Sequence, residues 1–326
     1  MNIDEIGKIV GNTPMVRIDC KHHCIKKSVY AKLEWYNFSG SIKDRAAYYI
    51  LKEAKARGEL KDNQPIVEAT SGNMGISIAA IGGALGHTVH IFMPDWMSYE
   101  RKQILKNYGA VLHEVSREEG GFVGSIKMAD NLAHEIDGFR TNQFANFDNV
   151  EGHYNNTGIE ILEDMKGIKI DAFVSGIGTG GTLMGISKRL KEVDSAIKTY
   201  AFEPDTLSVI LNGATSGEHK IAGIGDEFIP EIVDREKIDK IILINDDDAV
   251  NMARILAKKL GLGVGISSGA NFLASILLGD GTDNIVTVFP DDNKKYLTTD
   301  LGKPINDDSS FVSNSIELIG FEVLWS

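Results

Sequence analysis

The sequence predicts an α/β protein with parallel sheets covered by helices on both faces. Short apolar runs of strand length alternate with longer amphipathic runs along most of the chain, the pattern of parallel strands joined by crossover helices. Of the 326 residues, 43% are hydrophobic, enough to fill two cores or one large one. No internal repeat and no low-complexity tract interrupts the alternation.

The elements follow in order. "QPIVEAT" reads as a strand and "MGISIAAIGGALG" as the helix behind it. "TVHIFMP" is the next strand, followed by the helix "SYERKQILKNYGA", the strand "VLHEV" and the helix "GSIKMADNLAHEI". The polar stretch "FDNVEGHYNN" (147–156) is read as a crossover between two domains. Beyond it come the strand "DAFVSG", the helix "TLMGISKRLKEV", the strands "KTYAFEP" and "KIILIN", the helix "DAVNMARILAKKLG" and the strand "NIVTVFP". The apolar tail "SIELIGFEVLWS" packs either on the fold or on a partner, and the sequence leaves both open.

Charge and cysteine content remove several classes. The net charge is −12, whereas a binder of phosphate backbones needs clustered Lys and Arg, so nucleic acid and anionic membrane surfaces are not expected partners. The start "MNIDEIGKIV" lacks the basic residues and apolar run of a secretory signal. No run of about 18 apolar residues is present to span a membrane. The expectation is a soluble, cytoplasmic protein. Cys20 and Cys24 cannot build a disulfide framework. "CKHHC" gathers Cys20, His22, His23 and Cys24, but the spacing fits no standard zinc pattern and no second ligand pair follows. It is read as an exposed polar loop between two strands, with no metal.

Three glycine loops carry the chemistry. "EATSGNMG" (68–75) joins a strand to a helix and places Thr70, Ser71 and Asn73 at the helix entrance. Free N–H groups and short polar side chains there suit a carboxylate or phosphate, with an ordinary N-cap and turn as the competing reading. "SGIGTGGT" (175–182) follows a strand and opens a helix. Gly178 to Thr182 give a backbone that can wrap a phosphate. Gly176, Gly178 and Gly181 also satisfy G-x-G-x-x-G, and Glu203 lies near the place of a ribose acid, so dinucleotide binding competes. "GIGDEFIP" (223–230) matches no phosphate motif and carries two acids, Asp226 and Glu227.

"NFSGSIKDRAA" (37–47) decides between these readings. Lys43 follows a Ser/Gly-rich loop and begins an amphipathic helix. The positive end of the helix dipole opposes its charge. That favours a neutral amine, which can form a Schiff base with an aldehyde cofactor.

"IVGNTPMVRI", "SGSIKDR", "EATSGNMG", "SGIGTGGT", "GISSGA" and "FPDDNKKYL" occur in this order. Together they resemble the cysteine synthase and cystathionine β-synthase family of fold type II pyridoxal-phosphate enzymes, from about residue 5 to 300. The resemblance demotes the dinucleotide reading. It implies two α/β domains with pyridoxal 5′-phosphate between them: a smaller mobile unit at about 40–148, and a larger one from 1–39 and 149–326. A homodimer is usual in the family.

By resemblance, Lys43 would hold the cofactor and later remove the substrate Cα proton. Asn73 would bond the cofactor's 3′ oxygen. Gly178, Thr179, Gly180, Gly181 and Thr182 would bind its phosphate, and Ser267 would meet its ring nitrogen. Thr70, Ser71, Gly72, Asn73 and Gln143 would clasp the substrate carboxylate. Met74, Ile159 and Asp292 stand where threonine, proline and serine are common in relatives that use O-acetylserine. The largest departure is Asp226, in a loop that faces the substrate in relatives.

Asp226 either points to solvent or both repels hydrosulfide and activates water or a thiol as a general base. The second reading gives β-elimination and β-replacement on L-cysteine through an aminoacrylate, releasing hydrogen sulfide and forming L-serine or lanthionine. The alternatives are an ordinary O-acetylserine sulfhydrylase making L-cysteine, an enzyme building a siderophore precursor, and a cofactor-free regulatory relative.

Overall fold

The computed structural model describes residues 2–279, 281–304 and 308–325. Its strands are β1 (Met15–His22), β2 (Ile25–Leu33), β3 (Ile66–Ala69), β4 (Val89–Pro94), β5 (Val111–Val115) and β6 (Phe139–Arg140). They continue with β7 (Ala172–Gly176), β8 (Lys198–Pro204), β9 (Lys240–Ile244), β10 (Asn284–Phe289) and β11 (Ile316–Leu324). One sheet has seven strands in the order β11-β1-β2-β10-β7-β8-β9, and the other has four in the order β5-β4-β3-β6. The four-stranded sheet is parallel throughout. In the larger sheet only β1 is antiparallel to its neighbours, β2 and β11.

Burial explains the strand pattern. All four residues of β3 are buried, because helices cover both faces of a parallel sheet and remove any polar alternation. The helix Lys43–Ala56 turns Ala46, Ala47, Ile50, Leu51 and Ala54 into the core of the smaller sheet, with Ile66, Ile76 and Ile91. That is the i, i+3, i+4 stripe of an amphipathic helix. The helix Ile266–Ile276 is buried at every position and packs on β7, β10 and the helix Asp246–Leu260. A helix covered all round shows no stripe, so periodicity does not reveal it.

Four sequence expectations need correction or completion. The stretch 147–156 runs between β6 of the smaller sheet and β7 of the larger, and it forms the helix Asp148–Gly152 and a π-turn, His153–Thr157. Asn149 and His153 are buried there, with Asn149 Nδ2 donating to Gln143 O and Thr179 Oγ1 at 2.9 Å each. The "CKHHC" stretch is a tight hairpin, not a wholly exposed loop. Cys20 sits buried within β1, where burial pushes its thiol up to about 12. Only His23 and Cys24 form the turn, with φ of 48° and 67°. Among the described residues no group of three or more His, Cys, Asp or Glu is placed to hold a metal ion.

Glu203 is not free to take a ribose. It accepts from the N–H groups of Ile210 (2.8 Å) and Leu211 (3.1 Å) and from Ser208 Oγ (3.0 Å), so it caps the short helix Val209–Asn212. The apolar tail becomes β11, which covers β1 at the edge of the larger sheet. Ile319, Phe321, Val323 and Trp325 stay exposed there. No helix among the described residues is long and apolar enough to cross a membrane.

A buried ionic cluster fixes the helix of Lys43 against the larger sheet. Arg45 donates from Nε to Glu34 Oε2 (2.6 Å) and from Nη1 to Glu160 Oε1 (2.6 Å). Lys32 joins at 3.1 Å from Glu160. Against the penalty of burial, the Arg45 guanidinium holds Glu160 down at about 2. This contribution is present above the ordinary carboxylate range and is lost as pH falls toward about 2. Arg45→Ala leaves buried carboxylates unpaired and is expected to cost about 3–5 kcal/mol, read as a fall in the thermal unfolding midpoint.

Candidate active site

Lys43 is placed by its neighbour. The Asp44 carboxylate accepts from the Ser39 N–H at 2.7 Å and the Ser41 N–H at 3.4 Å, which turns the chain sharply into the helix. The Ile42 N–H then donates to Pro290 O at 2.9 Å, and Ser41 forms a β-bridge with Asp291. The helix of the smaller sheet therefore starts against the end of β10 in the larger one. Burial pushes the Lys43 amine below the usual lysine range, while Asp291 and Asp226 pull it back up. The neutral amine expected from the sequence is favoured by dehydration as well as by the helix dipole.

The loop after β3 forms one wall. Thr70, Ser71 and Asn73 line the cavity beside Lys43, and Gly72 does not. Asn73 Nδ2 donates to Asp291 Oδ2 at 2.8 Å, and Asn73 Oδ1 accepts from Lys295 Nζ at 3.1 Å. Gln143 also lines the cavity, held by a 3.0 Å bond from its Nε2 to Ala69 O.

The loop after β7 forms the opposite end. Gly178, Thr179, Gly180 and Thr182 line the cavity, whereas Gly181 faces away from it. A Cβ on Gly178 would lie 2.2 Å from Gly223 O, and one on Gly181 would lie 2.0 Å from Asn149 Oδ1. Gly180 has φ of 90°. Asn149 bonds Thr179 Oγ1, and His153 Nε2 lies 3.2 Å from Thr182 Oγ1. Bare backbone, two hydroxyls and the start of the helix Gly181–Val193 make a cradle that suits a phosphate. Ser267, on the first turn of its buried helix, lines the cavity too. A phosphate cradle facing an amine fits a phosphorylated aldehyde.

Asp226 lines both the inner cavity and an adjoining outer pocket of about 620 Å³, together with Ser71, Arg101 and Gly223. Burial pushes its carboxyl up to about 6, with Lys43 opposing and Glu227 adding to the rise. Glu227 itself is exposed. The loop is tied down by the Gly225 N–H, which donates to Ile177 O at 3.0 Å.

Sequence reasoning missed several lining residues: Arg101, Phe144, Ser175 and Asn271. It also missed Asp291, Lys295 and Tyr296 behind the wall, although "FPDDNKKYL" contains all three. Asp292, one of the departures from O-acetylserine-using relatives, caps the short turn Asn293–Tyr296 through the Lys294 N–H and pairs with Lys294.

Comparison with known proteins follows the same direction. Residues 6–291 match the family described as "Pyridoxal-phosphate dependent enzyme". A cysteine synthase of Staphylococcus aureus is 41% identical over 303 residues, covering 92% of this chain and 97% of the relative. The structure of a hydrogen sulfide-producing enzyme from Fusobacterium nucleatum superposes with a TM-score of 0.95 at 46% identity, covering 99% of both chains. A mutant of that enzyme, solved with an α-aminoacrylate intermediate, superposes with a TM-score of 0.96 at 46% identity over 99% of both chains.

Gly178→Ala would drive a methyl into Gly223 O. Overpacking of this kind costs about 1–3 kcal/mol, so the variant is expected to bind pyridoxal 5′-phosphate about 5–100-fold more weakly. Titration of the cofactor-stripped protein, followed by absorbance, measures it.

Proposed function

The chain belongs to the pyridoxal-phosphate-dependent enzymes of the cysteine synthase family, and from that premise we propose that it consumes L-cysteine. It releases hydrogen sulfide and joins water or a neutral thiol to Cβ, giving L-serine or lanthionine. The coarser statement is established by family: this is a pyridoxal-phosphate-dependent enzyme of β-replacement chemistry. The observation that carries the finer one is the position of Asp226, a carboxylate at the mouth of the inner cavity with Lys43 across from it.

When bound, pyridoxal phosphate supplies an electron sink for the Cα–H bond and lets the β substituent leave. The protein's own residues do the rest. The backbone from Gly178 to Thr182 would hold the phosphate. Ser267 would face the ring nitrogen with a hydroxyl, which does not enforce protonation there. Asn73 would bond the 3′ oxygen, and Thr70 to Asn73 with Gln143 would receive the substrate carboxylate. Lys43 would take the Cα proton and return it to Cα once the nucleophile has added to Cβ. Asp226 takes a proton from the incoming water or thiol.

As a carboxylate, Asp226 also repels hydrosulfide. At about 4 Å that repulsion is worth ~1 kcal/mol in water and ~4 kcal/mol in a partly desolvated site. It disfavours the return of sulfide and so turns the reaction toward cysteine breakdown. In the same proposal, a unit at about 40–148 closes over the substrate and the enzyme is a cytoplasmic homodimer. A second reading, O-acetylserine sulfhydrylase, is supported by the cysteine synthase relatives. Parallel turnover of L-cysteine and O-acetyl-L-serine separates the two.

Asp226→Asn removes the base and keeps the shape. The folded carboxyl titrates near 6, above its unfolded value, so it lowers stability as pH rises from about 4 to about 6. The asparagine variant is therefore expected to fold at least as well at neutral pH. General bases contribute about 10²–10⁴-fold, and serine and lanthionine formation should fall in that range. In the wild type, turnover should decline as pH drops through about 6, and the variant should lack that limb. Mass spectrometry of products from L-cysteine alone, across pH, is the measurement; unchanged serine and lanthionine formation would sink the role of Asp226.

A further inference from the structure

Asp291 is fully buried, with 0% exposure. Its Oδ2 accepts from Asn73 Nδ2 at 2.8 Å and from Tyr296 OH at 2.7 Å. Its Oδ1 has no hydrogen-bond partner and lies against Gly265, where an added Cβ would sit 2.1 Å away. The Tyr296 hydroxyl in turn accepts from Arg101 Nη2 at 2.9 Å, and the guanidinium carbon stands 4.8 Å from the Tyr296 ring centroid. Arg101 is itself buried, and its Nη1 donates to Ser71 O at 3.4 Å. Lys295 closes the circuit by donating to Asn73 Oδ1 (3.1 Å) and Gly40 O (2.8 Å).

Asp291 thus meets the loop 70–73 directly through Asn73 and indirectly through Tyr296, Arg101 and Ser71. Its own backbone is bridged to Ser41, two residues before Lys43. The loop and the lysine sit on different strand–helix junctions. Both are referred to this one residue, the loop through its carboxylate and the lysine through its backbone. Burying a charge is expensive unless it is well compensated; this one makes two hydrogen bonds to neutral donors, feels the charges of Lys43 and Lys295, and leaves one oxygen without a hydrogen bond.

We propose that Asp291 is a positioning residue of the reaction, setting the height of the loop 70–73 over Lys43 and hence the fit of the substrate carboxylate. It touches neither reacting atom, and it acts through Asn73 and the Tyr296–Arg101 relay. The inference rests on the reading of that loop as the carboxylate-binding wall. It does not depend on whether the leaving group is sulfide or acetate. Displacement of a positioned group by about 1 Å can cost 10²-fold, so loss of this hub reads out on substrate binding.

The test is the affinity of the holoenzyme for L-alanine, an amino acid with no β leaving group, measured by calorimetry together with the thermal midpoint. Asp291→Ala is expected to weaken L-alanine by at least about tenfold. Asp291→Asn is expected to recover most of that loss, because one amide oxygen can accept from both Asn73 and Tyr296. Tyr296→Phe, which removes one of the two donors to Asp291 and the acceptor of Arg101 Nη2 but keeps the bond to Asn73, should fall between them. Wild-type affinity in Asp291→Ala overturns the proposal. So does equal weakening in Asp291→Ala and Asp291→Asn with equal losses of thermal midpoint, the signature of a purely structural group. Wild-type turnover of L-cysteine and O-acetyl-L-serine is measured alongside. Failure on cysteine alone overturns the proposed substrate, while the L-alanine series still decides the role of Asp291.

Discussion

A lysine amine partly withdrawn from water, facing two carboxylates, is the constraint from which the rest of the site follows. Burial alone lowers the affinity of Lys43 for a proton, and Asp291 and Asp226 oppose that loss. Neither carboxylate lies near Lys43 in sequence. Each must be delivered by a separate loop of the larger sheet, one after β10 and one between β8 and β9. The smaller sheet delivers the lysine itself, on a helix whose first turn is bonded to Pro290. The two sheets are therefore registered to each other at the place where the charges meet. The buried Arg45, Glu34 and Glu160 cluster repeats that registration one turn further along the same helix.

Glycines in the cofactor cradle answer to this packing rather than to flexibility. Gly178 is bare because the carbonyl of Gly223 presses on it, and Gly181 is bare because Asn149 does. The first contact joins the phosphate cradle to the loop that carries Asp226. The second joins it to the segment between the two sheets. A ligand's phosphate and the acid at the mouth are thus held by one rigid assembly.

The sequence made much of this legible, and the exceptions have physical reasons. Helices with one apolar face and strands in apolar runs were readable because their burial is patterned. The helix of Ser267 was not, since it is buried on all sides. Lys43, the loop after β3 and the glycine loop after β7 stand out in the sequence because each motif is contiguous, and the fold brings them to one cavity. The Asn73–Asp291–Tyr296–Arg101 network was not, because two of its three contacts span 218 and 195 residues and each member alone resembles an ordinary polar residue. Polarity alone does not show that Asn149 and His153, within 147–156, satisfy their hydrogen bonds inward and so behave as core. Glu203 looked like a ribose ligand by spacing, and only the bonded N–H groups of Ile210 and Leu211 reveal a cap.

Desolvation acts on Lys43 and Asp226 in opposite senses. It disfavours the ammonium and disfavours the carboxylate, moving the lysine down and the aspartate up. Each then restrains the shift of the other, because a charged pair is better than either charge alone. The result is two groups whose proton affinities are drawn toward each other within one cavity. Such a pair suits a reaction in two halves, one that removes a proton from Cα and one that removes a proton from the nucleophile. In the proposed reaction, a proton held by Lys43 after the first half would stabilise the Asp226 carboxylate for the second. A site built only to bind hydrosulfide, which arrives already deprotonated, has no use for that second base and is hindered by its charge. The acid in the loop 223–230 therefore fits a nucleophile that must lose a proton to react.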